Sequence, residues 1–273
     1  MEFSKQRGQH FLTDKNVVKK IIAAAELAPD DVVLEVGPGL GVMTREILPR
    51  VKRLVAVELD PLFVRELRAE FAEDSPRPEI IEGDILKTRV ANLFSSHAPR
   101  ATSYKLITNL PYNITSAFLK KFLIEPPAPE QIVVMLQKEV ADRITTNDER
   151  LTTKSSNLLG LMCNLYAACS FVCKAPAGAF VPSPKVDSAV ICLRPYSSAA
   201  FSAKWGTPLD RAEDIMAFAS RFFAQPRKKM CGLLNKDLRE KCQNALVAIG
   251  ESPDSRPAAL RVEKWVELWK KML

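Results

Sequence analysis

The four residues Asn109, Leu110, Pro111 and Tyr112 place an amide, a rigid ring and an aromatic side chain one residue after the apolar run YKLI. The side-chain oxygen of Asn109 and a backbone carbonyl near Leu110 can accept hydrogen bonds from an amino group. Pro111 fixes its φ angle and would hold these acceptors in place, and Tyr112 offers a face on which a flat ring can stack. Taken alone, this stretch predicts either an ordinary turn or a site that binds a planar, amino-bearing ring.

A glycine-rich run, LEVGPGLG, lies upstream and is the second candidate for chemistry. Its glycines are Gly37, Gly39 and Gly41, and glycine lets a backbone approach a ligand closely because it has no Cβ. The dinucleotide fingerprint G-x-G-x-x-G requires glycine at position 42, where this chain has Val. The spacing E-x-G-x-G-x-G, which begins at Glu35, is instead typical of S-adenosylmethionine (SAM) methyltransferases. A tight strand-to-helix turn is the alternative interpretation.

Two carboxylates, Glu58 in AVELD and Asp84 in EGDI, follow the next two apolar runs. Glu58 stands 21 residues after Gly37, where a carboxylate could accept both hydroxyl protons of a ribose. Asp84 is placed to accept a hydrogen bond from an adenine amino group. Together the two side chains outline an adenosine site, and we expect SAM as the cofactor. NAD would suit Glu58 but not the glycine spacing.

Secondary structure must bring these groups together. Strand and helix patterns alternate along the first two-thirds of the chain. Short apolar runs typical of buried parallel strands are DVVLEVG, RLVAVELD, PEIIEGDI, YKLITNL and QIVVMLQ. Helical patterns follow four of them, in VMTREILPR, PLFVRELRAEFAE, ITSAFLKKFLI and KEVADRIT. Two later segments, YAACSFVCKA and KVDSAVICLRP, are expected to complete the sheet as antiparallel strands. The pattern predicts an α/β fold with a Rossmann-like, mostly parallel, doubly wound sheet, whose strand ends bring the candidate residues to one crevice.

The chain changes character at RPYSSAAFSAKWGTP, which is typical of a linker. Apolar residues then recur at helical spacing in DRAEDIMAFASRFFA, in a segment opened by Pro226, and in RPAALRVEKWVELWKKML. Residues 200–273 hold 14 Lys and Arg against 9 Asp and Glu, so +5 of the net charge of +7 lies there. We therefore predict a catalytic domain over residues 1–198 and a small, basic, all-helical domain over residues 199–273, which suits a polyanionic partner.

The composition argues against several classes of protein. No apolar run reaches the roughly 18 residues that a membrane helix needs, and the stretch MEFSKQRGQHFLTDK lacks the apolar core of a signal peptide. We therefore expect a cytoplasmic protein without a membrane partner. Six cysteines without a CxxC pair predict reduced, buried thiols rather than disulfides or a metal site. The two histidines, His10 and His97, leave little scope for zinc or Ser–His chemistry.

In chain order, the motifs resemble those of the KsgA/Dim family of rRNA adenine dimethyltransferases. The resemblance runs through GQHFLTD, VGPGLG, VELD, GD, NLPYNI, LQKEVADR and AFVPSPKVDSAV, and more weakly through FFAQPRKKMCGLL and RPAALRVEKW, so it covers nearly the whole chain. It implies SAM-dependent transfer of two methyl groups to N6 of each of two adjacent adenosines near the 3′ end of small-subunit rRNA. The expected partner is that rRNA within an immature small ribosomal subunit, and the enzyme is expected to be a monomer.

The resemblance also implies roles for individual residues. In the family the GQ-x-FL segment closes over SAM, which implies cofactor contacts for His10 and Leu12. The other expected cofactor-binding residues are Gly37, Gly39, Glu58, Asp84 and Asn109. The expected catalytic residues are Asn109, Leu110, Pro111 and Tyr112. Phe180, in AFVPSP, is either a second aromatic wall for a flipped base or a core phenylalanine. Three cations in QPRKKM, namely Arg227, Lys228 and Lys229, suit RNA phosphates or form a solvated helix face.

Two departures from the family pattern and three alternative functions remain. ERLTTKSSNLLGLM stands where the family often has a YGRLSV-like run near the expected RNA entrance, and Pro226 shifts the start of a helix. An Erm-like enzyme acting on large-subunit rRNA is one alternative, although GQHFL, NLPYNI and LQKEV favour small-subunit rRNA. A ribosome-assembly or transcription factor that retains the fold is another, and intact Glu58, Asp84 and Asn109 argue against it. The basic helical domain argues against a small-molecule methyltransferase.

Overall fold

Two compact units make up the chain in the computed structural model, which describes residues 10–94, 103–145 and 157–273. The first unit combines Met1–Ala141 with Ser170–Pro195, and the second combines Asp142–Cys169 with Tyr196–Leu273.

The described part of the first unit is built on a sheet. The strands are β1 (Phe11–Leu12), β2 (Val32–Val36), β3 (Arg53–Glu58), β4 (Glu79–Glu82), β5 (Lys105–Asn109), β6 (Gln131–Gln137), β7 (Ala167–Ala175), β8 (Phe180–Val181) and β9 (Ser188–Pro195). Seven of them form one sheet in the order β4-β3-β2-β5-β6-β9-β7, and β1 pairs with β8. Strands β2 to β6 are paired in parallel, and β9 runs antiparallel to β6. The predicted mostly parallel sheet is confirmed.

The centre of the sheet is apolar on both faces because parallel strands are covered on both sides. Leu34 of β2 lies between Val55 of β3 and Leu106 of β5 in the register, and all three side chains are fully buried. Each such side chain contributes about 1.5–3 kcal/mol relative to an exposed one. This central region therefore holds the ends of β2, β3 and β5 in fixed positions.

Side-chain caps set the starts of two of the helices in this part of the chain, α1 and α3. The helices are α1 (Lys15–Ala24), α2 (Val42–Ile47), α3 (Pro61–Glu70), α4 (Val90–Leu93), α5 (Thr115–Ile124) and α6 (Lys138–Ile144). The Asp14 carboxylate accepts the Asn16 N–H at 2.7 Å at the start of α1. Asp60 caps α3 in the same way, and Pro61 occupies its first position as predicted.

The described part of the second unit is mostly helical and has an aromatic core of its own. Its helices are α7 (Leu158–Tyr166), α8 (Ser198–Trp205), α9 (Ala212–Phe223), α10 (Lys236–Ala248) and α11 (Val262–Met272). Trp265 is fully buried, and its ring lies 5.8 Å from that of Phe222 and 5.5 Å from that of Phe223, between centroids. The predicted helical C-terminal region is confirmed.

Two predictions about local structure in this region were wrong. The stretch predicted as a linker contains α8, because Ser197 caps its start and Gly206 ends it with a φ of +59°. The helix predicted from Pro226 begins only at Lys236, where the Asn235 side chain accepts the Leu238 N–H at 3.0 Å.

Residues 142–169 pack with the C-terminal helices, although the sequence placed them in the catalytic domain. Trp205 of the C-terminal helices explains part of this packing, because its Nε1 donates to the carbonyl of Leu165 in α7 at 3.0 Å. The atypical segment ERLTTKSSNLLGLM is helical from Leu158, and its residues up to 156 lie outside the described ranges. A domain boundary at residues 198 and 199 stays a prediction.

All six cysteines are described and carry free thiols, five of them buried. Across the described ranges, no cluster of three or more His, Cys, Asp or Glu side chains could hold a metal ion. Within those ranges no helix has the length and apolar character needed to cross a bilayer. The cytoplasmic location stays a prediction.

Gly160 provides a test of the packing around α7. A Cβ at this position would lie 2.6 Å from the Arg143 carbonyl oxygen, so we expect Gly160→Ala to lower the free energy of unfolding by about 1–3 kcal/mol. Urea unfolding measures the change. Gly232→Ala is the matched control, because a Cβ there meets nothing within 4 Å. Equal stability of the two variants would contradict the close approach of α7 to residue 143.

Candidate active site

A cavity of about 900 Å³ lies at the carboxyl ends of the parallel strands, within the first unit. Its walls come from β1, the glycine-rich loop and the turns after β3, β4 and β5, comprising residues 10–12, 36–40, 42–43, 57–59, 83–86 and 109–114. The cavity brings together the predicted residues His10, Leu12, Gly37, Gly39, Glu58, Asp84 and Asn109 to Tyr112. Gly37, Glu58, Asp84 and Asn109 were expected at one sheet edge, and they line this one cavity; His10 and Leu12, expected only from the family resemblance, line it too.

The glycine-rich loop has a backbone that other residues could not adopt without strain. Gly39 and Gly41 have φ angles of +54° and +72°, in the left-handed region that disfavours a Cβ. A Cβ on Gly39 would also lie 3.1 Å from the Phe11 ring. The loop is tied to the sheet by the Gly37 N–H, which donates to the Val57 carbonyl at 2.9 Å. This arrangement fixes the floor of the cavity.

Glu58 is buried at the end of β3 and already accepts three backbone hydrogen bonds. Its Oε1 accepts from Leu59 and Asp60 at 2.8 and 2.9 Å, and its Oε2 accepts from Gly39 at 3.1 Å. An ionised carboxylate has about four acceptor positions, so one position on Oε2 is left for a ligand. The glycine-rich loop and the carboxylate therefore hold each other in place.

Asp84 is half-buried at the end of β4. Its Oδ1 accepts the Leu86 N–H at 3.0 Å, and its Oδ2 faces the exposed Lys87 ammonium at 3.7 Å. Exposed ion pairs of this kind contribute little, so Oδ2 can accept a hydrogen bond from a ligand.

Asn109 and Tyr112 are both half-buried at the end of β5. The Asn109 Nδ2 donates to the His10 carbonyl at 3.2 Å, which leaves the Asn109 Oδ1 as an acceptor in the cavity. The buried Leu110 side chain and Pro111, with φ of −57°, lead into a 3₁₀ turn over Tyr112–Ile114. The Tyr112 hydroxyl shares a hydrogen bond of 2.7 Å with the Ser188 hydroxyl.

Sequence reasoning missed how His10 reaches this site. Leu12 and Phe11 of β1 pair with Phe180 and Val181 of β8, and a two-residue strand has no periodicity that could reveal it. His10 Nδ1 is 2.8 Å from the Pro182 carbonyl. Its ring is stacked towards that of Tyr112, with centroids 6.1 Å apart and planes inclined by 29°. His10 therefore lies beside the aromatic residue of the predicted target site as well as in the predicted cofactor site.

Phe180 is not part of the cavity wall. Its side chain is 3% exposed and packs in the hydrophobic core with Leu12 and Cys173. The interpretation as a core phenylalanine is the one that this burial supports.

Arg227, Lys228 and Lys229 are exposed in the second unit and precede α10, so they do not lie on a helix face. Lys229 forms an ion pair with Asp254 at 2.7 Å.

Glu35 lies beneath the glycine-rich loop as a fully buried carboxyl group. Thr44 Oγ1 donates to its Oε2 at 2.7 Å, whereas its Oε1 has no hydrogen-bond partner. Burial, together with the nearby Glu58 carboxylate, raises the pKa of Glu35 from 4.5 to about 8. The group is therefore protonated at neutral pH, and the loop covers a neutral acid rather than a second buried charge.

A glycine-rich loop and two strand-end carboxylates at one edge of a mostly parallel sheet define this chain as a Rossmann-like methyltransferase. A model of the family "Ribosomal RNA adenine dimethylase" matches residues 1–205. The chain belongs to that family, and the predicted family, fold class and enzyme class are confirmed.

Named relatives and solved structures are similar over most of the chain. "Ribosomal RNA small subunit methyltransferase A" of Dehalococcoides mccartyi is 38% identical, over 94% of this chain and 84% of its own. The protein of the same name from Thermosynechococcus vestitus is 37% identical, over 97% and 94%. The crystal structure of the 23S rRNA methyltransferase ErmE superposes with a TM-score of 0.75 at 28% identity, over 96% and 99%. That of a dimethyladenosine transferase from Plasmodium falciparum, with a TM-score of 0.74 at 23% identity over 95% and 96%, shares the fold.

The raised pKa of Glu35 predicts how pH changes stability. The unfolded chain releases this proton near pH 4.5, whereas the folded protein holds it up to about pH 8. The contribution of Glu35 to the free energy of unfolding therefore falls as pH rises through this interval. Glu35→Gln keeps the acceptor for Thr44 and removes the titration, so its stability relative to wild type should increase from about pH 5 to about pH 8.

Urea unfolding at both pH values measures this difference. Glu66→Gln, at an exposed position on α3, is the control. A stability difference for Glu35→Gln that does not change with pH would contradict the assignment of a neutral, buried acid.

Proposed function

We propose that this enzyme uses SAM to dimethylate N6 of two adjacent adenosines near the 3′ end of small-subunit rRNA. One observation carries the proposal: Asn109–Tyr112 share a cavity with the glycine-rich loop, Glu58 and Asp84. Acceptors for an amino group thus lie beside a site with the features of an adenosine pocket. The names of the two relatives at 38% and 37% identity support small-subunit rRNA as the substrate.

The residues around the glycine-rich loop fit SAM by their chemistry. The loop has positive φ angles and no Cβ groups at Gly37 and Gly39, which allows the close approach of a ligand without phosphates. We propose that Glu58 accepts a ribose hydroxyl on the free position of Oε2 and that Asp84 accepts the adenine amino group on Oδ2. A second ribose hydroxyl can bind Glu58 only if the Gly39 N–H is displaced. SAM, when bound, supplies an electrophilic methyl group.

The target side of the cavity orients the nucleophile. The exocyclic nitrogen of adenine is a poor nucleophile because its lone pair is delocalised into the ring. Asn109 Oδ1 and the Leu110 carbonyl accept the two amino hydrogens, which favours a pyramidal nitrogen with a directed lone pair. The same oxygens stabilise positive charge that develops on that nitrogen. Tyr112 holds the ring by stacking, and orientation is the main source of acceleration.

The second unit contributes the electrostatic part of rRNA binding in this proposal. Its exposed cations include Arg227 and Lys228, which have the charge and access to contact phosphates. The proposal also includes an immature small subunit as the substrate particle and a monomeric enzyme.

Reverse transcription of rRNA tests the substrate, because dimethylated adenosine stops primer extension. In a strain that lacks the gene, we expect the paired stops near the 3′ end of small-subunit rRNA to disappear, and a plasmid copy of the gene to restore them. The similarity to the 23S rRNA methyltransferase ErmE makes methylation of large-subunit rRNA the alternative. Loss of a stop in large-subunit rRNA, with the small-subunit stops retained, would refute the proposal.

Asn109→Ala tests the role of the amino-group acceptor. We expect kcat to fall by roughly 100-fold or more, as for loss of a preorganised group that stabilises a transition state. The fold should persist because the half-buried Asn109 side chain adds little to the core. Transfer of labelled methyl groups from SAM to small subunits lacking the modification measures activity, and thermal unfolding checks the fold. Asn16→Ala, at an exposed position on α1, is the control. Turnover at the wild-type rate by Asn109→Ala would exclude this role.

A further inference from the structure

We infer that Ser188 is a positioning residue for methyl transfer, which acts by holding the Tyr112 ring through its hydroxyl. The inference rests on the proposed function, since Tyr112 is the residue on which the target base is proposed to stack. Ser188 itself does not line the cavity, so it acts only through Tyr112.

The backbone around Tyr112 does not by itself fix the direction of the ring. Tyr112 begins a single 3₁₀ turn, Tyr112–Ile114, that has no side-chain cap and no buried residue. The Ile114 N–H reaches the Pro111 carbonyl only at 3.3 Å. The orientation of the ring therefore depends on side-chain contacts, and the hydrogen bond of 2.7 Å to Ser188 is the shortest contact described for it.

Ser188 is a rigid anchor for that contact. It is the first residue of β9, is fully buried, and is paired with Gln137 of β6. The preceding residue, Asp187, is held twice: its carbonyl accepts the Lys138 N–H at 2.9 Å, and its Oδ1 accepts the Ala177 N–H at 3.0 Å. The hydroxyl of Ser188 is thus fixed to the sheet.

Packing alone does not account for a serine at this position. The next five residues of β9, Ala189 to Leu193, are buried and apolar, and alanine at position 188 would continue that pattern. A buried hydroxyl needs a hydrogen-bond partner, and the partner described for Ser188 is Tyr112. The polar residue in an apolar strand therefore has an explanation in the position of the tyrosine.

A double-mutant cycle on the full-length enzyme tests the inference. Ser188→Ala and Tyr112→Phe each remove the same hydrogen bond, so each should lower kcat by about three- to tenfold. The kcat of the double variant should be no lower than that of the less active single variant, because either single substitution already removes the bond. The Kd for SAM, measured by equilibrium dialysis, should stay unchanged in all three. Ser170→Ala, which removes a half-buried hydroxyl on the edge strand β7 of the same sheet, should leave kcat unchanged.

Wild-type kcat in Ser188→Ala, or losses that multiply in the double variant, would overturn the inference. If Ser188→Ala lowers the melting temperature, its kcat cannot be compared directly with that of the wild type. Tyr112→Phe removes the same hydrogen bond at a half-buried residue, and its kcat then decides the test. A wild-type kcat in that variant would then overturn the inference.

A spectroscopic measurement separates this inference from the proposed function. Tyrosine labelled with ¹³C at the ζ carbon gives four signals, since the chain has four tyrosines, and Tyr112→Phe identifies one of them. Ser188→Ala should shift that signal alone, whether or not any RNA is methylated. An unshifted Tyr112 signal would overturn the inference, whereas an inactive wild-type enzyme with a shifted signal would count only against the proposed substrate.

Discussion

The parallel pairing of β2, β3 and β5 is the constraint on which the cavity depends. Parallel strands all end at the same edge of a sheet, so a residue just after each strand meets the residues after its neighbours. Leu34 and its register partners are fully buried, which prevents these strands from sliding. Gly37, Glu58 and Asn109 are far apart in the sequence and come together because of this register.

Hydrogen bonds between neighbouring segments give the cavity its detailed shape. Glu58 accepts from Gly39 of the loop, and Asn109 donates to the backbone of His10. Ser188 of β9 holds Tyr112 from a strand that does not line the cavity. Each group that would contact a ligand is therefore positioned by a different part of the chain, and the protonated Glu35 supports the loop without adding charge.

The sequence predicted the sheet and the position of the site because long apolar runs and strand-end polar residues are local signals. The start of α10 was missed because a proline such as Pro226 commonly begins a helix, whereas the Asn235 side chain caps the start of this one. The helix α8 was missed because its Ser- and Ala-containing sequence also suits a linker. The contacts of His10 and Ser188 depend on β1–β8 and β6–β9 pairing, and no local pattern encodes which strands pair. Burial of Phe180 in the core likewise depends on tertiary packing.

The approach of Phe11 to Gly39 links two segments that are distant in the sequence. Any side chain at position 39 would meet the Phe11 ring at 3.1 Å and would also need a left-handed backbone. A smaller residue at position 11 would make room for a Cβ at position 39, but it would remove an aromatic side chain from the short strand that directly follows His10. The Phe11 ring therefore restricts position 39 to glycine from outside the loop, in addition to the restriction that the left-handed backbone imposes.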